Sequence, residues 1–380
     1  MKTIFYLGLL VFIAYEFLNN YFVMGYPGSQ KLDSLVVSHA LSYYKVYFEI
    51  IIILIIFVSG KHVYKRGGRV FPVIMILISI LLYGYFNFIF TAENKFRKPQ
   101  KLILATVNTN QVDKSMMIVG IEFNGESKAY PVDYIRYHHR IVDSIGGKVV
   151  FVTYCGLCRT GRVYEPLING KYTSFRLVGI NHHNAMFEDE PTKSWWSQET
   201  GNCIVGKLKG TRLAEVQSQN MTLQRWIELF PATKIMQPDP MRGKYGNVND
   251  YLENIENPKT PQKGGTWSAH SYVIGISENN NSKAYEWNYL IEKRIIQDRI
   301  GDTHFILVIS IDNKSFAAFE RTADVSCNFR NDTLFLNGIP FNLAGTNLNT
   351  SKMELKKVNA YREYWFSWLH AHPNTTRVNL

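Results

Sequence analysis

The sequence predicts an α+β chain, mainly β, in which three transmembrane helices precede two tandem repeats of a β-rich unit packed together. Three observations lead there. Residues 4–18, 41–58 and 70–90 are apolar runs. Beyond Pro99, short segments rich in Val, Ile, Phe and Tyr alternate with Asn, Gly, Asp and Lys turns, the pattern of strands joined by tight connections. Finally, short motifs recur at a separation of 155 residues that shortens further along the chain.

The first run is interrupted only by Glu16, and no small-x-small cleavage pattern follows it. It reads as an uncleaved span rather than a signal peptide. The second contains the unbroken stretch 50–58 but has Lys45 and Glu49 near its start, so it falls short of a clean span. Its density of isoleucine argues against a soluble helix. The third holds 21 residues without a formal charge, enough to cross about 30 Å of hydrocarbon. Between the second and third runs, Lys61, Lys65, Arg66 and Arg69 crowd a short loop, which belongs in the cytoplasm by the positive-inside rule. The N-terminus is then inside and everything after Phe90 outside, although Lys95, Arg97, Lys98 and Lys101 follow the third run.

The formal charge of +11 and pI near 9.3 are diffuse, with no block of five or more Lys/Arg. There is no zinc-finger or glycine-rich framework either, so nucleic acid is excluded as a partner. The partners expected are the lipid bilayer and an unidentified protein or small molecule. Four cysteines in so long a chain make no disulfide framework. Cys203 and Cys327 read as small buried residues.

Within the β-rich part, residues 116–123 and 127–130 flank Asn124–Gly125, a strong hairpin signal. Residues 140–142 and 148–153 flank a glycine-containing turn in the same way. Helical patterns are confined to 223–230 and 361–370. The organisation expected is a membrane anchor over 1–95, a first β-rich repeat over 101–237, a linker over 238–266 and a shorter second repeat over 267–380.

The repeat rests on matched residues. Ile118, Val119, Gly120 and Ile121 recur as Val273, Ile274, Gly275 and Ile276, and the run 127–130 (Ser-Lys-Ala-Tyr) recurs at 282–285. Asp143, Ile145 and Gly146 become Asp298, Ile300 and Gly301. Trp226 and Pro231 answer Trp368 and Pro373 with their spacing kept. The duplication also serves as a control, since the second copy has Ser310 for Cys155, Asn313 for Cys158 and Arg294 for His139.

Chemistry concentrates at 149–161, a buried strand running into a tight turn that carries Cys155 and Cys158 at Cys-x-x-Cys spacing. Three readings of this pair stay open. A transition metal, zinc or copper, would take both thiolates, His139 as third ligand, and His182 or His183 as fourth. A redox pair would use Arg159 and nearby histidines to lower a thiolate pKa. That reading is weakened because residues 162–164 look like strand rather than the helix of thioredoxin-like enzymes. A permanent disulfide pinning the turn is the third reading, natural outside the cytoplasm.

Asn181, His182, His183 and Asn184 read as a loop, and residues 188–190 as a solvated acidic turn. Tyr154, Asn181, Trp196 and Gln198 are candidates for a binding cleft, against the alternative of a buried tryptophan with a hydrogen-bonded glutamine. No Ser-His-Asp order, Gly-x-Ser-x-Gly elbow or His-Glu-x-x-His helix is present, so a hydrolase has no support and no enzymatic activity is assigned.

Several spaced motifs carry a resemblance: Tyr130–Pro131, the run 139–147, Thr153 to Cys158, and Trp196–Ser197–Gln198 with the trailing Gly201, Gly206 and Gly210. These are similar to the bacterial domain-of-unknown-function family 3179, over residues 101 to the C-terminus. Gly156 stands where that family has proline, Arg159 and Gly161 replace Gly and Ala, and Arg140 replaces an acidic residue. The resemblance implies a fold and an exported or membrane-anchored location, but no activity. The sequence as a whole thus points to a membrane-anchored extracytoplasmic protein of the bacterial cytoplasmic membrane, with a transition-metal site in its first repeat. A non-catalytic interaction module with a structural disulfide, or an envelope thiol-disulfide oxidoreductase, is the alternative.

Overall fold

Three helices, Lys2–Tyr21, Lys45–Tyr64 and Val70–Ile89, are long and apolar enough to cross a membrane. They open a computed structural model that describes residues 1–26, 28–65, 70–239, 267–279, 281–350 and 353–378. The expected linker lies, from residue 240 onward, outside the described residues, as does part of the basic loop after Lys65. The chain divides into two units, Met1–Arg97 with Ile168–Arg212, and Lys98–Leu167 with Leu213–Leu380.

In the first unit, the second long helix begins at Lys45, later than the apolar run suggests, because a separate helix occupies Leu35–Tyr43. It then continues to Lys65. Lys45 and Glu49 do not shorten this helix: Lys45 meets groups on the neighbouring helices, and Glu49 pairs with Lys45 one turn away. Glu16, only 1% exposed, meets Lys45 Nζ at 3.1 Å and accepts a hydrogen bond from Asn87 Nδ2 at 2.8 Å. Lys45 also contacts Asn87 and Glu49. Ionisable groups within a span survive when they face partners in the bundle rather than lipid. A π-turn over Tyr85–Ile89 releases backbone carbonyls from the regular pattern, and Asn20 donates to Phe86 O at 3.4 Å.

The same unit holds a four-stranded antiparallel sheet in the order Cys203–Val205, Trp195–Ser197, Asn184–Asp189, Phe175–Asn181. Asn181 pairs with Asn184, so His182 and His183 are the two-residue turn of a hairpin, with φ of 45° and 68°. Such turns require left-handed backbone at both central positions.

The second unit is built from short sheets. One has the order Leu104–Ala105, Lys234–Met236, Glu126–Pro131, Met117–Phe123, Gln219–Thr222, and beside it in sequence run Arg140–Ile145, Lys148–Cys155 and Thr160–Tyr164 as a three-stranded sheet. Later in the chain, Tyr361–Tyr364, Tyr272–Glu278, Asn281–Glu286 and Thr376–Val378 form a four-stranded sheet, and Ile295–Ile300, Thr303–Ile309 and Phe316–Glu320 a three-stranded one. A further meander occupies Cys327–Arg330, Thr333–Leu336 and Ile339–Phe341. The hairpin expected at Asn124–Gly125 forms, both residues having positive φ.

Two helices of the second unit escape the sequence pattern, Val132–His138 and Trp287–Lys293, each of seven residues. The helical reading of 361–370 is corrected. Tyr361–Tyr364 is a strand paired with Tyr272–Gly275, and the helix spans Trp365–Ala371. The indole of Trp226 lies directly on Gly120, where an added Cβ would come within 2.5 Å of the ring. Trp368 lies on Gly275 in the same manner, at 2.2 Å. Glycine is required at both positions by this close approach.

Candidate functional site

The strand Lys148–Cys155 is buried from Val150 onward and delivers its last residue into the Cys-x-x-Cys turn. Arg159 N–H donates to Cys155 O at 2.9 Å and Cys158 N–H to Cys155 Sγ at 3.4 Å, closing the turn. Arg159 takes φ of 60° before the chain re-enters strand at Thr160. A Cβ with ideal geometry on Gly156 would stand 2.8 Å from Arg136 Cγ, which accounts for glycine at this point of the turn. Strand rather than helix follows the turn, at Thr160–Tyr164.

Cys155 and Cys158 are fully buried, Cys203 is buried and Cys327 half-buried. His139 is the left-handed cap of the helix Val132–His138, and its carbonyl accepts from Tyr154 N–H at 3.1 Å. Burial pushes its imidazole down to about 4, with Arg140 and His138 adding to the effect, so the ring is neutral at pH 7. Among the described residues no three His, Cys, Asp or Glu side chains gather as metal donors. Cys155 and Cys158 share one turn, but His139 does not complete a three-donor set with them.

His182 and His183 belong to the other unit, where His182 Nδ1 lies 3.1 Å from Gln30 O and His183 N–H donates to Gln30 Oε1 at 3.2 Å. Trp196 and Gln198 are buried there too. Trp196 Nε1 donates to Asp189 at 2.9 Å, and Gln198 Oε1 accepts from Asn184 at 3.4 Å. The solvated reading of 188–190 is corrected. Glu188 and Asp189 are buried acceptors for the indole N–H groups of Trp195 and Trp196, and only Glu190 is exposed. Indole N–H groups taken out of water need such acceptors. Asn181 stands at the hairpin end, and of the four cleft candidates Tyr154 alone lies in the second unit.

Tyr154 does line a cavity, of about 550 Å³, within the second unit. Arg159, Arg362, Lys314, Asn220 and Tyr272 line it with Tyr154, and Met116, Met117 and Val132 add an apolar wall. Arg159 is only 5% exposed, yet its Nε and Nη2 have no hydrogen-bond partner. Arg362 is clamped between rings, 4.2 Å from the Tyr272 centroid and 4.5 Å from that of Trp287, and its Nε is likewise buried without a partner. Tyr364 stands beside Arg159. Burial and the neighbouring Tyr272 raise its hydroxyl to about 12, against the opposing pull of Arg159. Donors buried without acceptors cost folding free energy unless something else supplies the acceptor. Such a wall suits a small molecule carrying acceptor atoms.

Lys314 and Arg362 have no motif of their own, but one signal could have found Lys314. It stands 155 residues after Arg159, the separation at which several other motifs recur. The fold and site define an α+β protein with three apolar helices compatible with a membrane anchor, and with a cation-lined cleft in its strand-rich unit. Residues 99–375 match the family described as Protein of unknown function (DUF3179), and the chain belongs to that family. No curated protein and no solved structure matches the chain.

Proposed function

We propose that the protein is a membrane-anchored binding module of the bacterial cytoplasmic membrane. Its strand-rich part faces the outside and takes a small ligand in the cleft beside the dithiol turn. The observation that carries this reading is Arg159, a buried guanidinium with unpartnered donors on the wall of a 550 Å³ cavity. Cavities of about 300–1,000 Å³ are the usual size for small-molecule sites, often at domain interfaces. The positive loop after the second span and the odd number of spans support the orientation.

On this reading the cleft lies between two copies of one ancestral unit, 101–237 and 267–380. Matched interactions support the duplication. Tyr130 O–H donates to Asp143 at 2.7 Å and Tyr285 O–H to Asp298 at 2.7 Å, each carboxylate also holding a lysine, Lys128 or Lys283. Trp226 Nε1 donates to Thr233 and Trp368 Nε1 to Thr375. The copies also exchange contacts reciprocally. Tyr364 N–H donates to Cys158 O at 2.9 Å, while Thr222 N–H donates to Ser315 Oγ at 2.9 Å. Positions at matched separations line the cavity in pairs: Met117 with Tyr272, Arg159 with Lys314, Asn220 with Arg362. A cavity on a pseudo-twofold axis is what reciprocal packing of two copies produces.

Metal binding at the turn keeps a narrower form. Two adjacent thiols suit a soft ion such as cuprous copper, whereas zinc takes four ligands. Elemental analysis of the purified chain with and without Cys155→Ser tests that form.

Hydrogen–deuterium exchange of the full chain in detergent, with and without the small-molecule fraction of a bacterial extract, tests the cleft. Protection should fall on peptides covering 113–117, 154–159 and 362–364. Protection elsewhere, or none, contradicts the reading.

A further inference from the structure

Resting on the cleft reading above, we infer that the ligand is a small organic oxyanion, a carboxylate or phosphate group on an apolar body. Arg159, Arg362 and Lys314 bring three cations to the cavity wall. Two carboxylates, Asp113 and Asp133, also line it, Asp113 keeping its charge beside Lys314 and Asp133 standing against Arg136. Asp113 accepts from Ser115 N–H at 2.8 Å, and Asp133 lies 3.7 Å from Arg136. The free donors are therefore those of the two guanidiniums: Nε and Nη2 of Arg159 and Nε of Arg362, all buried without a partner.

A guanidinium edge presenting two N–H groups matches the two oxygens of a carboxylate or phosphate, and no neutral group satisfies it as well. The stacking of Arg362 between Tyr272 and Trp287 fixes its plane before any ligand arrives, so little rotamer entropy is lost on binding. Met116, Met117, Val132 and Tyr154 line the same cavity with thioether, aliphatic and aromatic surface. An inorganic ion would leave that surface uncovered, whereas an anion with a hydrocarbon or aromatic body covers it.

Calorimetric titration of the full chain in detergent with benzoate, phenyl phosphate, benzamide and benzylammonium separates the possibilities, because the four share a ring and differ in the head group. Benzoate or phenyl phosphate should bind, and the preferred one names the oxyanion. Arg159→Gln and Arg362→Gln should each weaken that binding about ten- to hundredfold, the effect of removing a hydrogen bond to a charged group. Lys314→Gln, at an exposed position where folding is not at risk, should weaken it by a smaller factor. Binding of benzamide or benzylammonium as tight as that of the anions, with protection at 154–159, overturns the oxyanion assignment and leaves the cleft standing. No binding by any of the four overturns both.

Discussion

Arg162 and Glu363 give the sharpest test of what joins the early and late sheets of the second unit. Arg162 Nη2 lies 2.8 Å from a Glu363 oxygen, with side chains 2% and 0% exposed, and its guanidinium covers the Tyr361 ring at 3.4 Å. Burial pulls the guanidinium pKa down, but Glu363, followed by Tyr361, Tyr164 and Glu215, more than reverses that and keeps the charge. Glu363→Leu leaves the cation in a dry interior and should cost about 3–5 kcal/mol, as breaking a buried pair does. Arg162→Met strands the carboxylate and should cost about as much.

The double variant removes both charges and replaces them with apolar volume, so it should lie within about 1 kcal/mol of the wild type. Against a total stability of about 5–15 kcal/mol, each single change is large. The assay is urea denaturation of the full chain in detergent micelles at pH 7, followed by tryptophan fluorescence. Single variants within 1 kcal/mol of wild type (roughly the value of an exposed pair), or a double variant as unstable as the sum of the singles, would refute a dry, coupled pair.

The imidazole of His139 gives a pH signature. Its folded value of about 4 lies below the ordinary 6.5 through burial, with Arg140 and His138 adding, so the unfolded chain takes up the proton first as pH falls. Stability is full above pH 6.5 and is lost between there and 4, by about 3 kcal/mol in all. His139→Asn, which suits the left-handed backbone, should flatten that slope in urea midpoints taken at pH 7 and 4.5. An unchanged slope would show the ring to be hydrated. Gly120→Ala and Gly275→Ala drive a methyl to within 2.5 and 2.2 Å of the Trp226 and Trp368 rings. Each should cost about 1–3 kcal/mol or more, and midpoints equal to wild type would refute the close packing.

The legible parts of the fold were those written in local residue chemistry. Asn124–Gly125 announces its hairpin because few other pairs accept left-handed backbone at both positions. The apolar runs announce three long apolar helices, but Lys45 obscures the second, since its partners Glu16 and Asn87 sit on other helices. At the candidate site the cysteine spacing is the plainest local signal, yet it reports only that two sulfurs are neighbours. Whether a third donor joins them depends on where the His139 ring points, which spacing does not encode. The cations of the cleft come from three distant segments, at Arg159, Lys314 and Arg362. Only a separation of 155 residues, shared by several short motifs, links the first two.

Arg159 distinguishes a ligand-binding group from a structural one by the sign of a stability change. A buried guanidinium with unpartnered donors burdens the ligand-free fold by about 1–3 kcal/mol. Urea midpoints of ligand-free wild type and Arg159→Met, measured side by side, should show the variant equal or more stable. A variant less stable by about 2 kcal/mol or more would mean that Arg159 already has its partners within the protein, and the cleft would lose its reason to bind an anion.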